Sequence, residues 1–243
     1  MVLAYNLPGI EDGALRLSEE AIAAIFSGEI QYWDDPRITS TNKSLMLPHK
    51  PISVAVRADG SGTTYNFTYY LRKIDYAHFR KAAKSFDWKA ETISAKGSSR
   101  LSKLITATPY SIGYVDYSKK LKYDLSTAVI QNKSGNWVSP TLKAAQEGAK
   151  RAHLDKNKDF YGVIAYQDGK DAYPLIATTF VLLPYEGKAQ NREILDFFNW
   201  AFEHGQALAN THGFSMLPKE TIQEIRAYWR EKVLQPPKQM QGV

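Results

Sequence analysis

The stretch "AVRADGSGTTYNFTYYL", residues 55–71, decides the fold. It opens as the end of a strand, because "ISVAVR" (52–57) is rich in β-branched residues and closes on Arg57. Past "ADG" the period changes. Phe67, Tyr70, Leu71 and Ile74 fall at i, i+3, i+4 and i+7, which predicts a helix burying one face, with Gly62, Thr63 and Thr64 in its first turn. A strand handing over to a helix across a short Gly-rich turn is a building unit of α/β architecture.

The flanking sequence repeats that alternation. "MVLAYN" (1–6) reads as a buried strand stopped by Pro8 and Gly9. In "SEEAIAAIFSG" (18–28), Ser18 is a good N-cap, Glu19 and Glu20 suit the positive end of the helix dipole, and Gly28 ends the helix. "YWDDPRI" (32–38) reads as a turn with Pro36 as breaker, and Trp33 within it as a packing residue without a ligand role. "KGSSRLSKLITATP" (96–109) is a second helix opening on Gly97 and Ser98, read mainly as a cap, and "SIGYVDY" (111–117) is a strand or strand end. The region 122–170 is more polar, with a helix expected over 141–152. "PLIATTFVLLP" (174–184) reads as an apolar strand closed by Pro184. "NREILDFFNWAFEHG" (191–205) and "PKETIQEIRAYWREKVL" (218–234) are amphipathic helices, and the tail after them reads as frayed.

Composition narrows the function classes. The 243 residues suffice for one large domain or two lobes, and 44 % hydrophobic with 23 % charged residues is ordinary globular usage. A net charge of +6 is spread along the chain without a compact basic run, which disfavours nucleic acid as a partner. With no cysteine, disulfides and thiolate metal sites are excluded, and the five histidines show neither an i, i+4 pair nor an HExxH pattern, so no metal or other cofactor is expected. No apolar run approaches the ~20 residues of a membrane span. "MVLAYNLPGI" shows neither a basic n-region nor a long h-region of a signal peptide.

The chemistry of 55–71 is that of an anion cradle. The first N–H groups of a helix lack intrahelical partners, the macrodipole places positive charge there, and glycines admit a ligand close to the backbone. Ser61 and Thr63 add hydroxyl donors, Arg57 adds a planar fork for two oxygens of an oxyanion, and Asp59 is placed to hold that fork. "DGSG" after a strand is also a plain tight turn with a helix cap, and both readings stand on pattern alone. The stretch is neither G-x-x-x-x-G-K nor G-x-S-x-G, and no base is offered to a serine nucleophile. It is built to bind rather than to react.

"IFSGEIQYWDDPRI", "RADGSGTTYNFTYYL", "SIGYVDY" and "YPLIATTFVLL", in that order and spacing, resemble the periplasmic phosphate-binding proteins of Pst-type ABC transporters, from about residue 2 to about residue 233. The resemblance implies a two-lobed, type II periplasmic-binding-protein fold of the α/β class. It implies that Arg57, Ser61, Gly62 and Thr63 bind inorganic phosphate, that Asp59 is the ion-pair partner of Arg57, and that there is no catalytic residue and no turnover. Membrane permease subunits are the implied partners and the periplasm the implied location. Segments of the family resembling "GAGATFP", "GSGGG" and "DFGASD" have no counterpart here. The expectation is therefore a first lobe that is incomplete: residues 1–170 form the second lobe, 171–235 return to the first, and 236–243 are a flexible tail. The aspartate that accepts the proton of hydrogen phosphate in the family is among the unmatched segments, which implies weakened affinity and weakened discrimination against sulfate. Incomplete burial of "TTFVLLP" and of Phe197, Phe198 and Trp200 is expected too, and with it self-association. Two other functions fit the same cradle: an enzyme acting on phosphate esters, and a fragment that keeps the fold without binding.

Overall fold

The computed structural model describes residues 1–183 and 188–234. Its strands are β1 (Val2–Asn6), β2 (Arg16–Leu17), β3 (Ser53–Arg57), β4 (Thr92–Ala95), β5 (Ser111–Val115), β6 (Ser126–Thr127), β7 (Val129–Gln131) and β8 (Trp137–Val138). Its helices are α1 (Glu19–Ser27), α2 (Pro36–Thr39), α3 (Gly62–Ile74), α4 (Ser98–Ala107), α5 (Tyr117–Tyr123), α6 (Leu142–Arg151), α7 (Lys188–His204), α8 (Gln206–Thr211) and α9 (Lys219–Tyr228). The main sheet runs β4-β3-β5-β1-β6, and a small one runs β2-β7-β8. β3 is parallel to both β4 and β5, whereas β1 is antiparallel to β5 and β6.

Period-two alternation sorts the strand side chains onto two faces. Leu3, Tyr5, Val54, Val56, Ile112 and Tyr114 point to one side and pack with Phe26 of α1 and Phe67 of α3. Val2, Ala4, Ala55 and Val115 point to the other and pack with Leu101 and Ile105 of α4. On the first side Phe67 stacks on Tyr114 at 4.5 Å between centroids, and Trp88 lies 5.9 Å from Tyr114. On the second side a Cβ at Gly113 would stand 2.6 Å from the Ala55 carbonyl oxygen of β3 and 3.0 Å from Ile105 Cδ1 of α4. A side chain there would press on the backbone of β3 as well as on α4.

Several local expectations hold. Ser18 caps α1 by accepting from the Ala21 N–H at 3.1 Å, and Gly28 closes it with φ +86°. Trp33 is fully buried, its Nε1 donating to the Tyr110 carbonyl at 3.0 Å. Phe197 and Trp200 are each 58 % exposed and Leu182 is 92 % exposed, so the expected incomplete burial is present.

Two expectations are corrected. Pro36 does not break structure; it opens α2, with Asp35 as N-cap accepting from the Arg37 N–H at 2.9 Å. Proline's missing N–H costs nothing at a first helical position, so the same residue can start a helix or stop one. "PLIATTFVLLP" is not a strand over its described residues. Leu175 and Ile176 are buried in the main core, but from Ala177 the backbone runs along the surface with no ladder partner among the described residues. β-branched content supplies a preference for extended backbone; only a neighbouring strand turns it into a sheet. Pro184 and the expected flexible tail (236–243) lie outside the described residues.

Candidate functional site

Parallel pairing of β3 with β4 and β5 brings three strand ends, each followed by a helix, to one edge of the sheet. In open α/β sheets that carboxyl edge is where ligands bind. Arg57 ends β3 in register with Ala95 at the end of β4, so the residues after both strands meet above the edge.

Arg57 is held from two sides. Its Nε and Nη2 donate to the two carboxylate oxygens of Asp59 at 2.8 and 2.5 Å, a bidentate fork, and its Nη1 donates to Ser98 Oγ at 2.9 Å. The Gly97 N–H donates to Asp59 Oδ1 at 2.9 Å, tying the carboxylate to the mouth of α4. The hydrogen bond from Arg57, then that from Gly97, holds the Asp59 carboxyl well below the usual carboxylate range, and the Asp59 bond in turn raises Arg57. These contacts engage three of the five guanidinium N–H donors and leave one on each terminal nitrogen. The Arg57 side chain keeps 11 % exposure.

The mouth of α3 is built beside it. Ser61 is the N-cap, and its Oγ accepts from the N–H groups of Thr63 and Thr64 at 3.1 and 3.3 Å. A hydroxyl that accepts twice still carries its own proton to donate. The Gly62 N–H has no partner among the described residues, and the position is exposed with open space around it. Thr63 Oγ1 donates to Asp116 Oδ1 at 3.2 Å. Tyr114 locks the two halves together: its hydroxyl accepts from the Arg57 N–H at 3.3 Å and pairs with Thr64 Oγ1 at 2.8 Å. Burial pushes the Tyr114 phenol up, so it stays neutral.

All five expected residues, Arg57, Asp59, Ser61, Gly62 and Thr63, therefore stand at one edge. The Thr63 amide differs from expectation: Ser61 takes it as part of the cap. Gly97 stands at the N-cap position of α4 and Ser98 opens the helix, as expected, and the two also fasten Asp59 and Arg57. The sequence signal for them was the glycine–hydroxyl pair opening a second helix, whereas Tyr114 and Asp116 left no signal that the motif alone could expose. No group of histidine and acidic side chains able to hold a metal occurs among the described residues.

Residues 1–204 match the PBP superfamily domain. Phosphate-binding protein PstS of Pasteurella multocida (strain Pm70) is 34 % identical over 96 % of the chain and 68 % of its own length. The chain belongs to the PstS family of phosphate-binding proteins. Phosphate-binding protein PstS of Xylella fastidiosa (strain Temecula1) is 38 % identical over 94 % of the chain, which spans only 64 % of that relative. Among solved structures, a high-affinity periplasmic phosphate-binding protein with phosphate bound superposes with TM-score 0.68 at 20 % identity, covering 93 % of this PstS-family chain and 68 % of its own. That likeness shows the fold, a periplasmic-binding-protein α/β architecture. No described helix is long and apolar enough to cross a membrane.

Proposed function

We propose that the chain binds inorganic phosphate reversibly and without turnover, as a substrate receptor that delivers it in the periplasm to the permease subunits of an ABC importer. The observation that carries the reading is the Arg57 guanidinium, fixed by Asp59 and Ser98, with unused N–H donors beside the open first amide of α3. In this reading Arg57 supplies the charge, Ser61 its hydroxyl, Gly62 its amide and Thr63 its hydroxyl, while Asp59 keeps the fork oriented. Residues 1–170 act as one lobe and 171–235 return to the other.

The test is calorimetric titration of phosphate at fixed salt, with Arg57→Ala alongside. Each hydrogen bond to a charged group is worth about 1.5–3 kcal/mol, so losing Arg57 lowers affinity by roughly 100-fold or more. An unchanged affinity in the variant would remove Arg57 from the site. A second reading is a chain that keeps the fold without binding; the match spans 64 % of the Xylella relative. A folded protein that gives no heat with phosphate would decide for it.

A further inference from the structure

The seam between α7 and the helix that α9 begins holds a cavity of about 210 Å³ that shares no residue with the phosphate cradle. Its walls follow from helical spacing. Arg192, Leu195 and Asp196 fall at i, i+3 and i+4 on α7, and Arg226, Trp229 and Arg230 repeat that spacing across the seam. One end is clamped. Arg226 donates from Nε to Asn199 Oδ1 at 2.8 Å and from Nη2 to Glu203 Oε1 at 2.9 Å, and Glu203 offsets its charge. Past the clamp, α9 runs into a π-helical turn (Trp229–Val233), where the Leu234 N–H donates to the Trp229 carbonyl at 3.0 Å. Wide turns of this kind recur at functional sites. This one brings Leu234 to the cavity wall together with Trp229, whose ring stacks on Phe202 at 5.9 Å.

We propose that this seam binds a compact organic monoanion, a carboxylate carried on a flat apolar body. The charge is counted from the walls. Arg192, Arg230 and Asp196 make no hydrogen bond or ion pair among the described residues. With Arg226 offset by Glu203, two free guanidinium groups face one free carboxylate, and the cavity keeps one positive charge in excess. Arg192 and Arg230 stand on opposite walls, and each carries a planar fork that matches the two oxygens of a carboxylate. The Nη1 N–H groups of Arg226, unused by the clamp, add donors at its end. Leu195, Leu234 and the Trp229 indole give the ligand an apolar surface, and the indole face suits a flat ring. The volume keeps the ligand small, since it lies below the roughly 300–1,000 Å³ of pockets for larger ligands. Inorganic phosphate fits poorly here, because it has no apolar surface and would leave Trp229 and both leucines uncovered. The inference stands apart from the phosphate reading.

Benzoate is the probe, titrated calorimetrically into the full chain at neutral pH and fixed salt. Benzamide serves as its uncharged analogue and acetate as the anion without a ring. Saturable benzoate binding is expected, with benzamide and acetate each weaker by roughly 10-fold or more. Arg192→Gln and Arg230→Gln should each weaken benzoate by roughly 10-fold, the equivalent of one charge-assisted hydrogen bond. Asp196→Asn should tighten it several-fold by removing the opposing charge. The three side chains are exposed, so the variants should keep the fold, and thermal unfolding checks that they do. Arg57→Ala should leave benzoate binding unchanged. Benzoate that does not bind saturably, binds no better than benzamide, or is indifferent to both arginine substitutions overturns the proposal. Benzoate binding lost in Arg57→Ala overturns it too, because the carboxylate would then sit in the phosphate cradle.

Discussion

The sheet-centred part of the molecule and the segment from Ala177 to Leu234 treat the same kinds of residue in opposite ways. In the first, Phe26, Trp33, Phe67, Tyr70, Phe79 and Tyr114 are all buried. In the second, Phe180, Val181, Leu182, Phe197, Trp200, Leu208 and Phe214 are all exposed. Both carry amphipathic helices, so the apolar stripe does not distinguish them. What differs is the surface available to receive the stripe. α3 lies on a sheet whose own alternation presents a matching apolar face, whereas α7, among its described side chains, buries only Asn191 and Leu195. Periodicity specifies which face a helix would bury, and a second element is needed to bury it.

The contrast can be broken most directly with matched truncations. Phe67→Ala should cost about 3–5 kcal/mol in denaturant unfolding, because it leaves a cavity under Tyr114 and Phe26. A value near zero would show that the sheet side is as loosely packed as the rest. Gly113→Ala adds the Cβ that meets the Ala55 carbonyl oxygen and should cost about 1–3 kcal/mol, again read as a lowered unfolding midpoint. Acid sharpens the comparison at the site. The folded state depresses Asp59 below its ordinary value of 3.8, so its stabilising contribution is complete above that pH and is lost as pH falls below it. Unfolding followed against pH should therefore fall more steeply below pH 4 in the wild type than in Asp59→Asn, and parallel curves would break the linkage. Smallest of all, Phe197→Ser should change stability by less than about 0.5 kcal/mol, since the ring is more than half exposed. A loss comparable to that of Phe67→Ala would mean that the exposed ring is covered in solution.

Legibility in the sequence followed the same divide. β1, α1 with its Ser18 and Gly28 caps, and the β3–α3 junction were readable because each depends on residues within a few positions of one another. "PLIATTFVLLP" misled because its preference for extended backbone says nothing about a neighbour. Pro36 misled because proline is equally at home before a helix and after one. At the site, the "RADGSGT" core marked Arg57, Asp59, Ser61, Gly62 and Thr63 as one cluster, all local to a single junction. Ser98 and Gly97 join it only through the pairing of Arg57 with Ala95, and Asp116 only through the pairing of β3 with β5. Those contacts are properties of register, which a reading along one chain segment does not contain.

The stacked rings beneath the edge have a consequence for observing the site. Tyr114 touches the cradle with its hydroxyl and stacks its ring on Phe67, with the Trp88 indole 5.9 Å away. An indole so placed absorbs and emits beside the ring whose hydroxyl reaches the cradle. Of the five tryptophans in the chain, Trp88 is thus a native optical probe of this edge, and a variant keeping it alone would report occupancy as a change in emission without any attached dye.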